Sequence, residues 1–215
     1  MKRNYFLVGF VILAAMLVAT AIVYPRAPQL VPTHWNIQGV VDGYSNKWTL
    51  FVTTPAGILA IMGLFAALPW LSPKRFEVDT FRSTYLYIMI VIVGMMAYFH
   101  ALLLWAAIKG PMDMNRSITA GVCLLLALLG NVLGKVRRNF YIGIRTPWTL
   151  ANETVWNATH RLGGKMFFVC GVIGFVLALF RAPFWSVMAI LAAGALVPVV
   201  YSLVLYKQLE RRGEV

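Results

Sequence analysis

Acidic side chains are scarce in this chain. Asp and Glu together number 7 of 215 residues (Asp42, Glu77, Asp79, Asp113, Glu153, Glu210 and Glu214), and none lies inside a long apolar run. Transport coupled to protons or cations needs an ionisable group near the bilayer midplane, where the ion must be bound and released. Transporters of that kind are disfavoured, and an intramembrane protease built on paired aspartates is excluded. Cysteine is nearly absent too, with Cys123 and Cys170 the 2 in the chain. They fall in the fourth and fifth apolar runs, which must be antiparallel. At about 1.5 Å of rise per residue, their depths differ by more than ~10 Å, beyond disulfide reach. They read as small apolar packers rather than a redox or metal pair. The motifs HExxH and GxSxG are missing as well, so no enzyme signature is found and no cofactor is implied.

What the chain has in excess is apolar surface: 60% of its residues are hydrophobic and 12% are charged. A soluble domain of this length cannot hide so much, because its exposed fraction is too large. The apolar residues come in six runs, at 5–24, 49–70, 85–108, 117–134, 166–180 and 184–206. Crossing a hydrocarbon core takes about 20 helical residues. The runs do not alternate polar with apolar as barrel strands do, so they are predicted helices. The expectation is an all-α polytopic membrane protein of about six transmembrane helices, a single membrane domain over 1–215. The fifth run is short and is expected to tilt or thin the bilayer. Pro55 and Pro198 are expected to kink the second and sixth helices, and Gly130 with Gly134 to offer a close-packing surface.

The net charge of +12 is explained by topology before any acidic ligand is invoked. With the amino terminus inside, Lys2, Arg3, Lys74, Arg75, Arg82, Lys135, Arg137, Arg138, Arg145, Arg161, Lys165, Lys207, Arg211 and Arg212 all fall on the cytoplasmic side. Arg26, Lys47, Lys109, Arg116 and Arg181 remain outside. The positive-inside rule produces this bias, so both termini are expected in the cytoplasm and no direct nucleic-acid binding is implied. The first run resembles a signal peptide with Lys2 and Arg3 as its basic start. Its apolar stretch is too long for one, however, and no small-residue cleavage site follows.

Two polar segments interrupt the apolar pattern. The first, 25–48, is expected to form a small ordered cap on the outer surface. Pro25, Pro28 and Pro32 make its start extended, Asp42-Gly43 reads as a tight turn, and Trp35 and Trp48 suit the headgroup region. His34 and Asp42 lack a third ligand at metal-binding spacing and are expected to bond each other or the loop backbone. His100, in the third run, is the one clear intramembrane ionisable candidate. It is either an interior histidine bonded to a neighbouring helix or the outer loop, or a ligand or proton site. Asn131 is a further polar residue within a span.

The second segment, 135–165, is a basic cytoplasmic loop carrying Lys135, Arg137, Arg138, Arg145, Arg161 and Lys165 against one acid, Glu153, with Trp148, Trp156 and His160. Pro147 excludes a helix through 143–148. Asn152 is a predicted cap for a short interfacial helix over 153–162, ended by Gly163-Gly164. The block can anchor topology, with its bases inside and its tryptophans in the headgroups. It can dock a protein, since Arg and Trp are enriched among binding hot spots. It can also bind anionic lipid.

Two patterns carry a family resemblance. One is Val31-Pro32-Thr33-His34-Trp35-Asn36 with Gly39 and Asp42-Gly43-Tyr44. The other is Gly130-Asn131 with Gly134-Lys135-Val136-Arg137, then Asn139 through Thr149, ending in Trp156, Thr159-His160-Arg161 and Gly163-Gly164-Lys165. Together they resemble the SdpI family of bacterial membrane proteins, with its amino-terminal domain of unknown function. The resemblance implies a multi-pass protein of the bacterial cell membrane, not an enzyme, that gives immunity to a secreted peptide toxin. It also implies a signalling role in holding a cytoplasmic transcriptional repressor at the membrane. On that reading the cap around His34, Trp35, Asn36 and Asp42 is toxin-facing or structural. The inner loop around Arg137, Arg145, Trp148, Trp156, His160 and Arg161 binds repressor or membrane lipids. The competing expectation is a membrane enzyme or a small-solute or ion transporter using His100 and His34.

Overall fold

All six apolar runs are helices in the computed structural model, which describes residues 4–73, 78–110 and 112–214. They are α1 (Tyr5–Val23), α2 (Thr53–Leu71), α3 (Arg82–Lys109), α4 (Met114–Leu133), α6 (Glu153–Leu179) and α7 (Phe184–Arg211). All six are long and apolar enough to cross a membrane. A short helix α5 (Pro147–Ala151) precedes α6, and an antiparallel hairpin of β1 (Leu30–Trp35) and β2 (Val41–Asn46) lies between α1 and α2. The architecture is an α-helical polytopic membrane protein whose first loop is a β-hairpin. Lys2, Arg3, Lys74, Arg75 and Glu77, used in the charge argument, lie outside the described residues.

The chain divides into two compact units, 1–66 with 89–121, and 67–88 with 122–215. In the first, the hairpin is held to the helices by a buried apolar cluster of Ala27, Val31, Leu50, Leu104 and Ala107, with Ala19, Val23 and Leu103 packed against it. Lys47 stabilises the end of α1 by donating to the carbonyls of Tyr24 and Ala27 at 3.5 and 3.4 Å. Cations are favoured there by the partial negative charge of a helix C-terminus. The same ammonium lies 4.6 Å from the centre of the Tyr24 ring.

In the second unit, small residues set how closely helices approach. A Cβ added at Gly171 of α6 would stand 2.6 Å from the Ala127 amide nitrogen and 2.6 Å from the Cys123 carbonyl oxygen of α4. One at Gly164 would stand 2.9 Å from the Gly130 carbonyl oxygen. The Gly130 signal in the sequence therefore marks a real backbone-to-backbone seam, of the kind small residues permit between membrane helices. Cys123 and Cys170 are both buried and free, packing beside Gly174 and Gly194 respectively; the depth difference expected between them does not hold, because α6 begins at Glu153 and sets Gly171, next to Cys170, against the Cys123 carbonyl.

Several local expectations are corrected. Gly163-Gly164 does not end a helix; α6 runs through it for 27 residues, because both glycines are spent on close packing. The helix expected over 153–162 is thus the first part of the fifth span, which is not short. No helix runs through 143–148, as expected, but Pro147 also starts one, α5, at a position where its missing N–H costs nothing. Pro55 falls in the first turn of α2, where no intrahelical bond is lost, whereas Pro198 does lie inside α7. Asp42-Gly43 is not the turn: both residues belong to β2, and the chain reverses at Asn36–Val40.

The seam gives a paired prediction. Gly171→Ala forces α4 and α6 apart and should lower the unfolding free energy by roughly 1–3 kcal/mol. Gly63→Ala meets nothing within 4 Å and should leave stability level or raise it by about 0.5–1 kcal/mol through helix propensity alone. Thermal unfolding in detergent, run on both variants, checks the contrast.

Candidate functional site

The hairpin is shaped by side chains that serve its backbone. Asn36 Oδ1 accepts from the amides of Gln38 and Val40 at 3.0 and 2.9 Å, and Gly39 takes the left-handed conformation (φ +78°) that the tight reversal needs. The tip is tied to α4, where Asn115 Nδ2 donates to the Ile37 carbonyl at 2.5 Å. His34 Nδ1 and Asp42 Oδ1 lie 2.5 Å apart on the exposed surface, so the two residues bond each other across the strands. The register shifts on both sides of His34. Such irregularities re-aim side chains, and Trp35, immediately after, lines two separate clefts.

His100 is buried in α3, and its Nε2 lies 2.8 Å from the Thr20 hydroxyl of α1. Because Thr20 Oγ1 already donates to the Met16 carbonyl at 2.9 Å, it accepts from His100 Nε2–H. The partner is thus the neighbouring helix rather than the outer loop. No cluster of three potential metal ligands occurs among the described residues.

In the second unit, residues 135–152 form a hook wired by buried polar side chains. Asn139, fully buried, donates to the carbonyls of Arg137 and Ile142 at 2.8 and 3.0 Å and accepts from the amides of Tyr141 and Ile142 at 2.7 and 2.8 Å. Thr146 and Thr149 cap α5 reciprocally: the Thr149 amide donates to Thr146 Oγ1 at 3.2 Å, and the Thr146 amide to Thr149 Oγ1 at 2.9 Å. Thr146 Oγ1 also lies 3.0 Å from Ser202 Oγ of α7. Asn152 caps α6, its Oδ1 accepting from the Val155 amide at 3.1 Å.

The centre of the hook is a stacked aromatic pair. The rings of Trp156 and His160 lie 4.0 Å apart at 18°, and both residues are fully buried. Trp156 Nε1 donates to the Val136 carbonyl at 2.8 Å. His160 Nδ1–H donates to the Trp156 carbonyl at 2.8 Å, which leaves Nε2 to accept from the Ile144 amide at 3.0 Å. That geometry fixes a neutral imidazole in one tautomer. Gly143, at φ +118°, lies against the same ring, where a side chain would collide with it.

The sequence-predicted inner residues therefore separate into two sets. Trp156 and His160 are interior and hold the hook; Trp156 is not in the headgroups. Arg137, Arg145 and Arg161 are exposed and Trp148 is half-buried. Arg145 donates to the Phe140 carbonyl, and Arg138 to the carbonyls of Leu150 and Ala151 at 3.4 and 3.3 Å, at the end of α5. Asn131 lies exposed on α4. The residues missed as structural determinants are Asn139, Thr146, Thr149 and Ser202. Thr146-Pro147 with Thr149 three residues after Thr146 was a readable capping signal; Ser202, distant in sequence, gave none.

Comparison with known proteins covers both regions. Residues 135–202 match the model of the SdpI/YfhL protein family, and residues 11–59 match a domain of unknown function, DUF1648. The chain is similar to the immunity protein SdpI of Bacillus subtilis (strain 168), 27% identical over 185 residues, which are 86% of this chain and 85% of that protein. No solved structure matches.

The imidazole bridge is directly testable. His160→Phe keeps a ring against Trp156 but removes the acceptor for the buried Ile144 amide. The loss of one satisfied buried donor should cost about 1–3 kcal/mol. Hydrogen exchange should show the Ile144 amide released while amides in the middle of α7 stay protected.

Proposed function

We propose, from the premise that this chain belongs to the SdpI/YfhL protein family and is a multi-pass bacterial membrane protein with DUF1648 on its amino-terminal side, that it is a non-enzymatic immunity protein. It protects the cell membrane against a secreted peptide toxin. In a second role it holds a cytoplasmic transcriptional repressor at the membrane. The observation that carries this reading is the length of the similarity to the immunity protein SdpI: at 86% of this chain, it takes in both the hairpin and the hook.

Three helices long and apolar enough to cross a membrane, α2, α3 and α4, lie between the hairpin and the hook along the chain, and on the proposed reading the two loops face opposite sides of the membrane. The concentration of Lys and Arg in the hook puts it inside and the hairpin outside. Outside, the hairpin with His34, Trp35, Asn36 and Asp42 meets the toxin. Inside, exposed Arg137, Arg145, Arg161 and half-buried Trp148 present cations and an indole to an acidic partner surface, while Lys135 and Lys165 hold lipid phosphates. A toxin on the hairpin changes repressor binding only to the extent that it binds one conformation better than another.

Two measurements test the two roles. Expression of the chain in a toxin-sensitive bacterium should restore growth in the presence of the sporulation-delaying toxin. Purification of the membrane-solubilised chain from its host should recover a soluble DNA-binding protein, and the double variant Arg145→Ala/Trp148→Ala should lose it while still inserting in the membrane. Equal recovery by the double variant removes the hook from the repressor site.

A further inference from the structure

The glycine seam between α4 and α6 gathers three cations at its inner end. Lys135 follows Gly134 in the turn after α4, and Arg161 and Lys165 lie one helical turn apart on α6. All three are exposed, and none forms an ion pair among the described residues. The acid of the same segment, Glu153, precedes Arg161 by about 12 Å of helix rise. A Cβ on Gly130 would stand 2.7 Å from the Gly164 carbonyl oxygen, and one on Gly134 would stand 3.7 Å from Cγ of Arg161. The two backbones nearly touch here, and the Arg161 stem lies against Gly134, beside Lys135.

The cations share a face with apolar side chains. On α6, Arg161, Lys165, Phe168 and Val172 recur at the spacing of one helical stripe, and all are exposed. On α4, Leu124 and Asn131 are exposed in the same way, in line with Lys135. A different face of α6 is taken by α7, through Gly194 against Cys170 and Pro198 against Gly163, so both stripes open on the side that α7 leaves free. Charge gives way to hydrocarbon-facing surface at Lys135 and Lys165, where the apolar stretches 117–134 and 166–180 meet the polar segment. Topology alone asks for bases near helix ends, on any face. Lys135 fits that at the negative end of α4, but Arg161 and Lys165 stand more than two turns into α6, and all three converge.

We infer that this face is a site for one anionic phospholipid. Lys135, Arg161 and Lys165 hold its phosphate, with the Asn131 amide beside them, and its acyl chains lie along Phe168, Val172 and Leu124. Arg and Lys pair with phosphate through charge-assisted hydrogen bonds, and basic pockets between membrane helices are where acidic headgroups settle. The continuity from charge to apolar surface argues for lipid. A soluble anion gains nothing from the apolar part, and a cytoplasmic protein cannot follow the face into the bilayer. The inference sharpens the lipid part of the reading above. Arg161 turns to lipid, which leaves Arg137, Arg145 and Trp148 to the protein partner.

The test titrates the full chain in nonionic detergent with phosphatidylglycerol, with phosphatidylcholine of the same acyl chains, or with inorganic phosphate. Native mass spectrometry counts the molecules bound. Phosphatidylglycerol should bind at least about tenfold more tightly than phosphatidylcholine. Lys135→Gln, Arg161→Gln and Lys165→Gln should each weaken it about fivefold, and the triple variant should bring it to the phosphatidylcholine level. Lys207→Gln/Arg211→Gln/Arg212→Gln removes three charges at the end of α7 and should bind as wild type does. Equal losses in the two triple variants would reduce the effect to diffuse attraction and overturn the site. So would a wild type without preference, or a seam triple variant that binds phosphatidylglycerol within about threefold of wild type. Displacement of the lipid by inorganic phosphate at equal concentration would make the ligand a free anion. Loss of the host's DNA-binding protein by the seam triple variant, with lipid binding intact, would give the cations to that protein; either result overturns the assignment. Growth protection against the toxin and the Arg145→Ala/Trp148→Ala comparison are read separately, so the immunity reading survives a failure here.

Discussion

Buried backbone amides and carbonyls must find partners, and in lipid there is no water to supply them. This constraint organises the whole chain. It turns each apolar run into a helix, because a helix satisfies its own backbone. It places the β-hairpin between spans rather than within them. It also explains why the hook between α4 and α6, which leaves regular structure while remaining largely packed, spends its buried polar side chains on its own main chain. Asn139 satisfies four backbone groups with one amide, and His160 accepts from Ile144 while donating to Trp156.

The same accounting separates two jobs that sequence motifs run together. In the second family pattern, Trp156, His160 and Gly143 are spent inward: indole, imidazole and a left-handed glycine lock around one another. Arg137 and Arg161 are exposed, and Arg145, exposed too, has its guanidinium on the Phe140 carbonyl. A motif read as a docking surface is thus mostly a scaffold, on which a few exposed cations and one half-buried indole are presented. The two buried histidines follow the same logic. His100 joins α3 to α1 through Thr20, and His160 joins the hook to α6.

Helices, their number and the place of the two polar segments were legible because lipid imposes a coarse and uniform rule on composition. Local geometry was less legible where one residue type serves two purposes. Glycine breaks helices in water but packs them in membranes, so Gly163-Gly164 read as an end when it is a seam. Proline reads as a breaker but is neutral in a first turn, which covers Pro147 and Pro55. Asp42-Gly43 has turn chemistry, but Asn36 with Gly39 already made the turn, and Asp42 was needed opposite His34. Burial of Trp156 rested on Val136, twenty positions away, and no periodicity within 153–162 could give it.

The order of the hook bears on its purpose. Fixing a residue's backbone costs about 1–2 kcal/mol, and a topology anchor has no need to meet that cost, since positive charges near a helix end act equally well on a mobile chain. Here the cost is met residue by residue: a capping box at Thr146 and Thr149, a fourfold amide at Asn139, a hydroxyl pair with Ser202, and a stacked imidazole. Lipid phosphates, being mobile themselves, ask for charge more than for geometry. A folded protein surface asks for both. Holding Arg145 by the Phe140 carbonyl, beside an α5 whose position is fixed on α7, makes sense when something rigid must be matched. The investment in order is in keeping with the protein partner proposed above.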